Sequence, residues 1–444
     1  MTAGPALDAV QPAVRRAAAA PALWLGAACL VVHLVANGHY GLFRDELYFI
    51  VCGLRPAFGY VDQPPLIPLI AAASFKLFGT ALTPLRFVPA LAAATAVALA
   101  ADLAGRLGGG RFAQTLAGLC VLLTPTLMTF GVLLTTHCLQ PPTWLACAWI
   151  LTRRIESGDE RWWLALGAVA GVSLESYDQI ALFLVGLAVG VVATPLRRSL
   201  ARPWVYAGAG LALALASPNL VWQAQRHWPF LQVVSDNLLK NVAQAPLASL
   251  LQQAFFVGSF TAPVWLAGLW RLVARPPRPE LRALGIACVV VVAVVVRAGG
   301  RAYYSAFAYP ILFSAGAVAW EAWLRRPAAQ WAAATLVAVF GIRAAPTTLP
   351  ILPPATLVAY MQATHYSVKD NQFQITDLGD LPPIFADMFG WPELAAAVSA
   401  VYRGLPPDER AQAVFFANNY GEAAALDLYG PALGGPPTIR GNTS

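Results

Sequence analysis

Between Leu23 and Ile342 the chain repeats one pattern: a block rich in Ala, Leu, Val and Gly, then a short break carrying Arg, Asp or Pro. Blocks that reach or approach the ~20 apolar residues of a bilayer-crossing helix leave few other folds open. With 58% hydrophobic and only 11% charged residues among 444, the chain could hardly clothe itself in an ordinary polar surface. Period-two alternation is absent, which argues against a transmembrane barrel. The reading is an all-α polytopic membrane domain of about eleven transmembrane helices. They centre on Leu23–Val35, Val88–Leu103, Ala113–Phe130, Trp144–Leu151, Trp162–Leu174, Ile180–Ala193, Val205–Val221, Ala254–Trp270, Leu284–Val296, Ala306–Trp323 and Trp331–Ile342. Leu66–Phe78, apolar but short, reads as a helix lying at the interface.

The net charge of +7 falls in short basic clusters between apolar runs, a mark of topology and not of a nucleic-acid partner. A cytoplasmic N-terminus puts the clusters at Arg106/Arg111, Arg153/Arg154/Arg161, Arg197/Arg198/Arg202, Arg271–Arg282 and Arg325/Arg326 inside. The 38–80 loop, His137, Tyr177-Asp178, Arg226-His227, Arg301 and everything after Pro346 then share the outer face. No convincing cleavage site precedes the first loop, so the first span is expected to be retained. The domain expectation is a cytoplasmic arm over 1–20, a membrane domain over 21–346 and an extracytoplasmic C-terminal domain over 347–444. In the last, Glu393–Arg403 reads as an amphipathic helix, Ala413–Ala417 as a strand and Glu422–Tyr429 as a helix, a small α/β unit that reaches Ser444 without a returning strand. Six cysteines lie mostly in apolar runs without CxxC spacing, implying neither a disulfide framework nor a zinc site.

The chemistry-bearing stretch is Arg44–Leu66, RDELYFIVCGLRPAFGYVDQPPL, read as a loop on the membrane face. It gathers Asp45, Glu46 and Asp62 among Phe43, Tyr48, Phe58 and Tyr60, and ends on the rigid Pro64-Pro65 pair. A carboxylate held in such an apolar setting has its pKa raised toward a general-base value unless a cation, here Arg44 or Arg55, offsets it. The competing reading is a pair of solvated loop charges. Arg301 beside Tyr303 and Tyr304 suits a lipid-phosphate clamp as well as an interfacial anchor, and Arg226-His227-Trp228 is a weaker version of the same pattern. Tyr60, His137, Asp178 and His227 are further substrate-binding candidates.

RDELYF, followed by GYVDQPPLIPLI and LFGTALTPLRF, resembles the first external loop of the GT-C membrane glycosyltransferases. The similarity is to the branch of protein O-mannosyltransferases and the aminoarabinose transferase of lipid A. SPNLVWQAQRHWPFL, GGRAYYSAFAYPILFSAGA, FADMFGWPELAAAV and NNYGEAAALDLYG extend it along the chain. The resemblance implies a multi-helix membrane domain with an extracytoplasmic C-terminal domain. It implies transfer, with inversion, of a sugar from a polyprenyl-phosphate carrier to a lipid, protein or envelope glycan acceptor, at the plasma membrane of a bacterium. It assigns Asp45 as base, Glu46 as its neighbour and Asp62 to an organising or second catalytic role. Arg301, Tyr303, Tyr304 and Arg226 are the candidates for the donor phosphate.

No cofactor is expected. A divalent cation held by Asp45, Glu46 and Asp62 stays open beside a metal-independent mechanism. The chain departs from many relatives in THCLQPPTW, where they carry an acidic residue, and near Tyr177, where they carry Lys. Those departures sustain the alternative of a non-enzymatic lipid-linked-sugar transporter or a catalytically impaired relative.

Overall fold

The computed structural model describes residues 7–240, 245–366 and 379–439. Its core is an assembly of helices packed through small residues. Helices Ala262–Val273 and Tyr309–Trp323 touch where Gly268 faces the Leu312 carbonyl and Gly316 the Val264 carbonyl, so closely that a Cβ at either glycine would collide with backbone. Apolar helices approach this way when dispersion, and not water exclusion, holds them together.

Among the described residues, four helices are long and apolar enough to cross a membrane: Phe87–Arg106, Pro203–Gln225, Pro279–Arg297 and Pro327–Thr347. The number rises to seven if each of three bent pairs is one span. Two of the expected continuous spans are such pairs. Ala113–Phe130 is broken into Arg111–Leu122 and Pro125–Val132 with a 64° bend, where Pro125 has no N–H to continue the ladder. Ala254–Trp270 is broken into Pro246–Val257 and Ser259–Val273 with a 94° bend at Gly258, whose φ of 91° favours glycine. Trp144–Leu151, short as a span, is the middle of an 18-residue helix, Gln140–Ser157, whose first turn takes up Pro141 and Pro142. The first helix begins at Leu7, inside the stretch read as an arm.

The first loop differs most from expectation. Arg44–Leu54 is a helix, started by Glu46 at its third position, whose Oε2 accepts from the Phe43 backbone N–H at 2.9 Å. Leu66–Phe78 forms the short helix expected of it. Beyond residue 346, helix Tyr420–Tyr429 lies against the Arg44–Leu54 helix, with Ala424 and Ala425 in one core with Leu47, Tyr48, Ile50 and Val51. A strand does return: Phe415–Phe416 pairs in parallel with Thr438–Ile439 across that helix, which corrects the expectation that none would. The pair is two residues long, so the strand read over Ala413–Ala417 is shorter than expected.

Candidate active site

A cavity of about 2600 Å³ opens between the first-loop helix, the breaks at Pro125 and Gly258, and the segment after residue 346. Irregular backbone inside a membrane protein is stable where it lines such a space. Successive residues of a helix point ~100° apart, so Asp45 and Glu46 of one turn face different surroundings.

Asp45 faces the cavity and keeps 28% of its side chain exposed. It accepts a hydrogen bond from the Tyr420 hydroxyl at 2.7 Å. The Arg44 guanidinium is 4.0 Å away, also 3.4 Å from Asp387, and lies over the Tyr420 ring. Asp62 accepts from the Tyr48 hydroxyl at 2.8 Å, and the Tyr48 and Tyr420 rings meet at 5.0 Å. Each carboxylate thus has its own tyrosine, and the two tyrosines are in contact. Burial raises the pKa of Asp45; Tyr420 and Arg44 oppose that, while Asp62 and Asp387 add to it. Burial raises Asp62 as well, against the Tyr48 hydrogen bond. An elevated carboxylate that still finds donors is suited to take up a proton.

Glu46 is not at this surface. It is fully buried, paired to an equally buried Arg86 at 2.8 Å, and it also accepts from the backbone N–H groups of Phe43 and Leu134. These contacts keep Glu46 off the cavity that Asp45 faces, so the two sequence neighbours do not share one surface. Tyr60 also lies off the cavity, its hydroxyl donating to the Cys52 carbonyl at 2.8 Å. Arg226 and His227 belong to a helix end: Arg226 stacks on Trp222 at 4.3 Å, and Trp228 N–H closes back on the Gln223 carbonyl at 2.8 Å. Neither lines the cavity.

The remaining candidates do. Arg301, Tyr303 and Tyr304 form another wall, with Arg301 donating to the Tyr303 hydroxyl at 3.3 Å and the two tyrosine rings 4.7 Å apart. His137 stacks on Phe130 at 5.0 Å and meets Tyr177 at 4.8 Å. Burial and the neighbouring Arg301 push its pKa down to about 3, so the imidazole is neutral. Burial raises Asp178 to about 6. Among the described residues no three His, Cys, Asp or Glu side chains gather to hold a metal ion, and Glu46 is turned away from Asp45 and Asp62.

Sequence reasoning named Arg44 as a charge offset and Tyr48 as a flanking aromatic of the loop, and missed Tyr420 and Asp387 as members of this wall. Tyr420 is 375 positions from Asp45, and only the stretch NNYGE, noted for its resemblance, pointed toward it.

Residues 62–222 match the family model of dolichyl-phosphate-mannose-protein mannosyltransferase. A search of curated proteins finds no match to the sequence. Among solved structures, the fold is similar to that of ArnT from Cupriavidus metallidurans bound to undecaprenyl phosphate, with a TM-score of 0.63 at 15% identity, covering 94% of this chain and 85% of that one. The apo state of that protein gives 0.61 at 16% identity, covering 94% and 84%. The archaeal oligosaccharyltransferase AglB from Archaeoglobus fulgidus, in complex with an inhibitory peptide and a dolichol-phosphate, gives 0.50 at 12% identity, covering 91% of this chain and 63% of that one. The chain thus has a GT-C fold and, over residues 62–222, matches the protein-mannosyltransferase family in sequence, as the resemblance of its first loop to the GT-C membrane glycosyltransferases implies.

Proposed function

We propose that the chain is an inverting glycosyltransferase that moves a sugar from a polyprenyl-phosphate carrier to an acceptor at the outer face of the membrane. The observation that carries the reading is one shared cavity. Two tyrosine-bonded carboxylates occupy one wall, and a guanidinium flanked by tyrosines occupies another. Phe230, Val234, Phe255 and Phe260 line a greasy flank suited to a prenyl tail. ArnT bound to undecaprenyl phosphate and AglB with a dolichol-phosphate lend the carrier class.

In this mechanism the acceptor hydroxyl attacks the anomeric carbon while Asp45 takes its proton. The bond from the anomeric carbon to the phosphate oxygen breaks on the opposite side, so the configuration inverts. Arg301 meets the phosphate that leaves, and no metal is required of the reading. Asp62 with Tyr48 supports the tyrosine that holds Asp45. The topology that goes with it has about eleven spans, a cytoplasmic N-terminus and an outward-facing segment after residue 346 in a bacterial plasma membrane. Lipid, protein and envelope glycan remain the acceptor classes.

The test is transfer of labelled sugar from a polyprenyl-phosphate donor by the purified chain in lipid nanodiscs. Donor translocation without any sugar release would favour a transporter instead. Arg301→Ala should weaken binding of bare polyprenyl phosphate by about tenfold or more, the scale of one charge-assisted contact. Unchanged affinity would remove Arg301 from the phosphate site. Tyr420→Phe should displace the pH–rate profile. Loss of the hydroxyl lets the Asp45 pKa rise further, so the base is protonated at higher pH and the acid limb of kcat/KM moves toward alkaline values. An unmoved limb would separate Tyr420 from the base.

A further inference from the structure

Outside the cavity, behind the first loop, two polar side chains adjoin with acceptors that nothing satisfies. Glu175 follows the Trp162–Leu174 helix, is half-buried, and leaves a shielded Oε1 without a hydrogen-bond partner among the described residues. Asn219, in the Pro203–Gln225 helix and 4% exposed, leaves its Oδ1 in the same condition. The Asn219 backbone N–H acts on the Glu175 carboxyl, so the two residues are neighbours. Buried polar atoms in native proteins are almost always matched, and two adjoining acceptors lack a donor that a proton on Glu175 would supply.

The surroundings favour that proton. Burial, and after it the negative charge of Asp178, push the Glu175 pKa up to about 7, against the Asn219 N–H. The elements packed nearby bring no free cation to it. Helix Gln140–Ser157 presents Gln140 to Ser173 and Ser176, helix Ile180–Ala193 carries no charged residue, and Pro203–Gln225 ends on Arg226, which is turned onto Trp222. In the first loop Tyr48 engages Asp62 and Asp427 engages Arg55, while Lys76 lies about 15 Å along its helix from Leu66. The same two residues carry that loop. Leu66 N–H donates to the Glu175 carbonyl at 3.0 Å, and Gln223 Nε2, one turn beyond Asn219, donates to the Tyr60 carbonyl at 2.9 Å. Gly59 lies so close that a Cβ on it would stand 2.5 Å from Asn219 Oδ1. These points bracket Asp62, whose partner Tyr48 meets Tyr420 on the cavity wall.

We infer that Glu175 is a positioning residue whose protonated carboxyl donates to Asn219 Oδ1, fastens the support on which Gly59–Leu66 rests, and so holds Asp62 at the cavity. When that proton passes to water, a carboxylate and a carbonyl oxygen face each other behind the loop, Asp178 adds its repulsion, and the arm formed by Asp62 and Tyr48 loosens. The inference rests on the glycosyltransferase reading above and adds to it a proton, held away from the reacting groups, on which the rate depends.

The test compares the full chain with its Glu175→Gln variant in nanodiscs, from about pH 5 to about pH 9. Wild-type kcat should fall on the alkaline side of neutrality. A carboxamide donates at every pH, so Glu175→Gln should keep its rate there and exceed wild type by up to about tenfold at about pH 8, with KM for the donor unchanged. Thermal unfolding gives a readout that needs no turnover. A carboxyl whose pKa is higher folded than unfolded stabilises the chain below the unfolded value, and the contribution is lost as pH rises through the folded value. The unfolding midpoint of Glu175→Gln should therefore gain on that of wild type between about pH 5 and about pH 8. If wild type transfers sugar but both proteins share one alkaline limb, or if their midpoints run parallel, the inference is overturned while the glycosyltransferase reading stands. If the midpoints diverge but wild type transfers no sugar at any pH, that reading fails and the protonated contact stands. Should Glu175→Gln not fold, Asn219→Ala decides. Without an acceptor for the proton its alkaline limb should move toward acid, and an unmoved limb overturns the inference.

Discussion

Asp45→Asn should lower sugar transfer by about 10²-fold or more while bare-carrier affinity stays near that of the wild type. Asparagine keeps the shape of aspartate and still accepts from the Tyr420 hydroxyl, so the wall that Tyr420, Tyr48 and Asp62 build remains assembled. What disappears is the ability to take a proton from the acceptor hydroxyl. Carrier contacts assigned to Arg301 belong to another part of the cavity, so a fall in turnover without a fall in binding is the signature. Single-turnover transfer from labelled donor, paired with a binding measurement, checks it. Transfer within a few-fold of wild type would deny Asp45 the role of base.

The other large effect is on stability. Glu46→Ala should destabilise the chain by about 3–5 kcal/mol, because it strands a buried guanidinium. Arg86 and Glu46 are both fully shielded from solvent and meet twice, at 2.8 and 2.9 Å. Arg86 also donates to the carbonyls of Asn37, His39 and Gly41, which fixes the turn between the first helix and the Arg44–Leu54 helix. Loss of the carboxylate leaves that charge uncompensated and frees the N–H groups of Phe43 and Leu134. Thermal unfolding in detergent is the measurement, and the double variant Glu46→Leu/Arg86→Met should recover part of the loss because no isolated charge is then buried. An unfolding midpoint equal to that of wild type would show that the pair does not hold the loop.

Neighbouring residues therefore face different surroundings, Asp45 the cavity and Glu46 the buried Arg86, and the sequence alone does not separate them. An acidic pair in an apolar context is legible as a candidate site. Which member faced the cavity depended on helix phase, and the helix itself was read as a loop because it is short and starts on three charged residues. Apolar blocks with clear polar ends were legible to the residue, as at Trp162–Leu174 and Ile180–Ala193. Blocks containing a break were not, since Pro125 and Gly258 interrupt helices without interrupting hydrophobicity. Arg301, Tyr303 and Tyr304, consecutive or nearly so, are easily read together as one candidate cluster, and they line the same cavity. Arg226, the weaker version of that pattern in sequence, sits at a helix end that turns it onto Trp222. Tyr420 was illegible for the opposite reason: its partner is at the other end of the chain, and nothing local in a tyrosine announces a contact of that range.

The contact between the Tyr420–Tyr429 helix and the first-loop helix has a bearing on protein engineering. Arg44 reaches Asp387 and Tyr420, and Arg55 reaches Asp427 at 3.3 Å, so the two regions interlock through matched pairs as well as a common core. A chimera that grafted the distal segment of a relative onto this chain would have to bring Arg44, Tyr48 and Arg55 into register with it. Without them, the graft would fold beside the cavity and leave its wall unfinished.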